Sequence, residues 1–79
     1  MNIYTLTGEL FSFVRCYYPK TYTLPDVLKR TVEYMKSGGY QVSVLDDSHR
    51  DYKVISVDDH SFRIVRYKSS PWYEVEAIN

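Results

Sequence analysis

The stretch Thr23 to Gly39, TLPDVLKRTVEYMKSGG, decides how this chain is to be read. Leu24, Val27, Leu28, Thr31, Val32 and Met35 recur at i, i+3, i+4, i+7, i+8 and i+11, one face of a 3.6-residue period. Asp26, Lys29, Arg30, Glu33 and Lys36 fall on the opposite, solvated face. Thr23 is a good N-cap, and Asp26 three residues on resembles a capping box. Pro25 sits in the first turn, where its missing N–H costs little. Asp26 lies at the positive end of the helix dipole and Lys36 at the negative end. Gly38-Gly39 supplies a left-handed stop. The spacing predicts a helix over Leu24–Ser37.

Beyond it come short runs that read as strands: Tyr40–Leu45, Tyr52–Val57, Phe62–Tyr67 and Trp72–Ile78. Phe62 and Ile64 share one face, as do Tyr73, Val75 and Ala77, with Glu74 and Glu76 opposite. Between the runs lie Asp46–Asp51, Asp58–Ser61 and Lys68–Pro71, all of turn composition. Such spacing predicts an antiparallel meander.

Before the helix, Ile3–Leu6 and Leu10–Tyr18 are rich in Thr, Phe, Val and Tyr, and Thr7-Gly8 could turn a hairpin. The expected order is therefore ββαββββ, an α+β domain with one amphipathic helix on an antiparallel sheet. The alternative makes residues 9–17 helical, because Leu10, Phe13, Val14 and Tyr17 also fit i, i+3, i+4, i+7. Pro19 ends the element in either case.

The 79 residues suffice for one domain, residues 1–79, near the lower limit for folding alone. Ten basic and ten acidic residues cancel, so the bulk excess of cations typical of nucleic-acid binders is missing. A single cysteine, Cys16, fits a reducing compartment and rules out a disulfide framework. Its thiol is expected to be partly buried and inert. No basic n-region or apolar h-region marks a signal peptide, and no run reaches the roughly 20 apolar residues that span a bilayer. The expected location is the cytoplasm, with no membrane partner.

Few residues suggest chemistry. His49 and His60 stand on turns a strand-length apart, roughly 20 Å for six residues, so no metal or other cofactor is expected. Ser48, His49 and Asp51 are triad types but crowd one loop without a nucleophile elbow. No enzyme is expected. The 16% aromatic content, with nine tyrosines, is high. Arg63, Arg66, Tyr67, Lys68, Trp72 and Tyr73 concentrate Trp, Tyr and Arg, the types richest in binding hot spots. They are the expected partner-binding residues. The partner is expected to be a protein, a larger host complex or a second copy. Nucleic acid is one alternative, through stacking on aromatics framed by arginine, and a homodimeric structural protein, self-associating through the spare sheet face or an edge strand, is the other.

In size and plan the chain resembles the small accessory proteins of phages and mobile elements, which include inhibitors of host polymerase and anti-CRISPR proteins. The resemblance covers general architecture and no motif, and architecture alone does not establish function. It implies a small inhibitor of a host complex.

Overall fold

A computed structural model describes residues 3–17 and 21–78. Among them the elements run ααββββ: α1 (Ile3–Arg15), α2 (Leu24–Ser37), β1 (Val42–Asp46), β2 (Tyr52–Val57), β3 (His60–Val65) and β4 (Glu74–Ile78). The four strands form one antiparallel sheet in the order β1-β2-β3-β4.

The expected N-terminal hairpin is thereby overturned: one helix occupies its place, and Thr7-Gly8 is helix interior. The ββαββββ order gives way to α1 over Ile3–Arg15; the alternative of a helical segment over 9–17 holds for residues 9–15, with the helix beginning six residues earlier and ending two residues sooner. Tyr18 and the expected stop at Pro19 lie outside the described residues. The physical reason is the placement of apolar side chains. A strand would throw Leu10 and Val14 to one face and Phe11, Phe13 and Tyr17 to the other. A helix gathers Leu6, Leu10 and Val14 into one buried stripe, with Phe13 and Tyr17 beside it. Strand preference reflects packing on a pleated surface, so the available core overrides it. The β-branched Thr7 also satisfies itself within the helix, its Oγ1 donating to the Ile3 carbonyl at 2.7 Å. The Cys16 thiol is exposed rather than partly buried, and its Sγ donates to the Ser12 carbonyl at 3.3 Å.

The second helix forms as its sequence predicts. The Thr23 hydroxyl donates to the Asp26 carboxylate at 3.0 Å and accepts from the Asp26 N–H at 3.4 Å. At the other end Gly39 takes φ +91°, with Gly39 N–H on the Lys36 carbonyl (3.0 Å) and Tyr40 N–H on that of Met35 (3.1 Å). This pair of bonds is a Schellman stop.

Strand boundaries differ from expectation by a few residues. Asp58 and Asp59 both have positive φ, 48° and 68°, the pattern of a two-residue I′ hairpin turn. The turn is therefore shorter than Asp58–Ser61, and β3 starts at His60.

Both helices lie on the same side of the sheet. The first packs against β4 and the second against β1 and β2. Ile55, Val57, Phe62, Ile64, Tyr73 and Val75 meet them in one core, each less than a tenth exposed. No helix among the described residues covers the other face. Among the described residues, no helix is long and apolar enough to cross a membrane.

Candidate functional site

Strand register sets what the uncovered face displays. One residue along from the core positions, the chain presents the row Asp46–Val54–Arg63–Glu76 and the neighbouring row Tyr52–Val65–Glu74. Arg63 is thus held directly opposite Glu76. Its Nη2 and Nε donate to one carboxylate oxygen, Oε1, at 2.9 and 3.1 Å. The Tyr67 hydroxyl donates to the other oxygen of the same carboxylate. On its far side the Arg63 guanidinium lies 5.4 Å from the Tyr52 ring, and His49 stacks on that ring at 4.2 Å and 19°. A continuous polar and aromatic track, Tyr67–Glu76–Arg63–Tyr52–His49, crosses the sheet.

The electrostatics follow from these bonds. The Tyr67 hydroxyl, and then Arg63, hold the Glu76 carboxyl below its ordinary value. The same bond to Glu76 pushes the Tyr67 phenol upward. A charge-assisted cluster of this kind fixes planar side chains before any partner arrives, which lowers the ordering cost of association.

The six residues expected to bind a partner do not form one patch. Arg63 and Tyr67 lie on the track. Arg66 and Lys68 flank a separate hollow of about 280 Å³ with Arg50 and Asp51. Among the described residues no carboxylate comes within ion-pair distance of Arg50, Arg66 or Lys68. Trp72 sits at the rim under Arg15, whose guanidinium lies 4.4 Å from its ring and 4.5 Å from that of Phe11. Arg15 also pairs with Glu74 at 3.2 Å. Tyr73 is fully buried, and its hydroxyl donates to the Tyr22 carbonyl. Its ring completes the core and faces no partner, and burial raises its phenol above the usual value.

Sequence reasoning weighed His49 only for metal binding and catalysis, and did not count Tyr52, Glu76, Arg15 or Arg50 among the contact residues. For Glu76 a signal existed, since pairing the last two strands in register sets it against Arg63. Arg15 carried none, because it arrives from an element read as a strand. The loop before β2 is organised by a carboxylate: Asp46 accepts the Ser48 hydroxyl at 2.7 Å and N–H at 2.9 Å, and lies 3.4 Å from His49 Nε2. Those Ser48 bonds lower its titration, with His49 and Lys53 adding to the effect. Ser48 and His49 both turn to Asp46, an arrangement that activates no nucleophile. Among the described residues no group of three His, Cys, Asp or Glu is placed to hold a metal ion.

No protein-family model matches this chain, and neither a curated protein nor a solved structure matches it.

Proposed function

We propose that this chain is a small non-enzymatic protein-binding module of the cytoplasm, and that it inhibits a larger host complex by covering one of its surfaces. The supporting observation is the uncovered sheet face, where one carboxylate, Glu76, holds Arg63 and Tyr67 in fixed positions beside Tyr52 and His49. Hydrogen-bonded Tyr and Arg side chains on an uncovered sheet face match the composition of binding hot spots. The exposed single thiol of Cys16 fits a reducing compartment. An accessory protein of a phage or mobile element is one setting for such an inhibitor, in keeping with its size and plan.

The test is capture of the partner from the natural host's lysate, followed by affinity measurement with the purified partner. Arg63→Ala and Tyr67→Ala should each weaken binding at least tenfold, about 1.4 kcal/mol. Lys29→Ala, on the solvated face of α2, should bind as wild type. Wild-type affinity in the Arg63 and Tyr67 variants would place the contact elsewhere and end this reading.

A second reading, nucleic-acid binding, gains support from the hollow flanked by Arg50, Arg66 and Lys68. It loses Arg63, already neutralised by Glu76. Its signature is an affinity for oligonucleotides that falls steeply with salt.

A further inference from the structure

Most of the positive charge described in this fold already has a counterpart. Arg63 is bound by Glu76, and Arg15 by Glu74. Lys29 and Arg30 flank a hollow together with Asp26 and Glu33. Lys53 directs its donors to the carbonyls of Asp47 and His49. A different balance holds where β2 begins and β3 ends, in the hollow of about 280 Å³ lined by Arg50, Asp51, Arg66 and Lys68. All four of these residues are exposed.

Backbone bonds set the walls of this hollow. Asp51 and Arg66 extend the ladder one step past Tyr52 and Val65, and the Arg66 N–H donates to the Asp51 carbonyl at 2.8 Å. Lys68 stands in a turn closed by the Ser70 N–H on the Tyr67 carbonyl at 3.3 Å. The two Lys53 bonds hold the loop that leads into Arg50. Opposite charges facing each other across a ladder ordinarily pair. Yet among the described residues no carboxylate, that of Asp51 included, comes within ion-pair distance of Arg50, Arg66 or Lys68.

Three cations against one carboxylate leave two positive charges over. In a chain of zero formal net charge this excess is local, and it selects a ligand. A carboxylate carries one negative charge, and so does each phosphodiester link of a nucleic acid. A phosphate monoester carries about 1.5–2 near neutral pH, with three strong acceptor oxygens. Guanidinium forks match phosphate oxygens two at a time, and lysine adds a point charge. A nucleic-acid strand needs cations that continue along its backbone, whereas Arg63 beyond this hollow is already neutralised.

We propose that this hollow binds a phosphate monoester, with Arg50, Arg66 and Lys68 holding the phosphoryl oxygens. A small phosphorylated molecule and a phosphorylated protein side chain present this same group. The site is separate from the Arg63–Tyr67 contact and stands whether or not that contact does.

Amide chemical shifts of the full chain, titrated at low ionic strength and constant neutral pH, test it. Inorganic phosphate and a phosphoserine peptide should shift the amides of residues 50–51 and 66–68 saturably. Both should bind at least tenfold more tightly than acetate or dimethyl phosphate. A peptide held more tightly than inorganic phosphate assigns the site to a phosphorylated protein, and equal affinities assign it to a small molecule; either supports the site. Arg50→Gln and Arg66→Gln should each weaken binding at least tenfold with the amide positions of β2 and β3 otherwise unchanged, and Lys29→Gln should bind as wild type. The absence of a saturable shift through the millimolar range overturns the site. So does dimethyl phosphate binding as tightly as the monoester, or full affinity in both glutamine variants. An oligonucleotide without terminal phosphates that outbinds the peptide at the same residues would hand the hollow to nucleic acid and end the proposal.

Discussion

Lys53 offers a sharp test of how the loop before β2 is held. It occupies a core-side position of β2, paired with Ile64, and is only 7% exposed. Its Nζ donates to the carbonyls of Asp47 and His49, each at 2.6 Å. Lys53→Met keeps most of the apolar stem and removes both bonds. A hydrogen bond from a charged donor is worth about 1.5–3 kcal/mol. Two opposing effects reduce the sum: the variant no longer buries an ammonium, and the freed carbonyls lie in an exposed loop where water replaces the donor. The net loss should be about 1–2 kcal/mol. Against a total of about 4–12 kcal/mol for a 79-residue domain, that is a large fraction. Urea denaturation should show a lower midpoint at unchanged slope. Amide exchange over residues 47–51 should accelerate more than that of β3. Because the loop carries His49 and Arg50, partner affinity should fall although Lys53 itself is covered. A methionine variant as stable as wild type, with loop exchange unchanged, would show that the two bonds hold nothing.

Two further outcomes follow from the sheet. Glu76 has a lowered folded value, so its contribution is present above the ordinary carboxylate value of 4.5 and is lost as pH falls through the lowered one. Glu76→Gln should cost about 0.5 kcal/mol at neutral pH, as for exposed pairs, and should flatten the acid limb of an unfolding titration; superimposable acid limbs would contradict it. At the I′ turn, Asp59→Gly should stabilise by about 1 kcal/mol by relieving positive φ. Asp58→Gly should gain little, because the Asp58 carboxylate accepts the Gln41 N–H at 2.9 Å. Equal gains in a paired denaturation experiment would remove that distinction.

The second helix was legible because cap, stripe, charge and stop all act within one segment, from Thr23 to Gly39. The first was misread because its evidence conflicts. Thr5, Thr7, Phe11, Phe13 and Val14 favour strands locally, and only the presence of a sheet edge to cover makes Leu6, Leu10 and Val14 a core stripe. That edge lies at the far end of the chain, beyond the reach of local propensity. The candidate site divides similarly. Arg63 and Tyr67 were visible by type, whereas their common carboxylate is a matter of register. Trp72 was visible by type as well, but Arg15 crosses from the other end of the chain to meet it. Tyr73 belongs to the core for the alternation already evident in Tyr73, Val75 and Ala77, a signal that its aromatic type obscured.

The packing of α1 on β4 has one more consequence. The strands pair only with their neighbours in the chain, whereas this contact joins the first described element to the last. Ile3 and Ala77 line the same hollow. Loop-closure entropy must be met before that contact forms, which places it late in folding, after the meander has paired. Residues 3 and 77 are also close enough to suit circular permutation, with new ends cut in the exposed loop at residues 47–50.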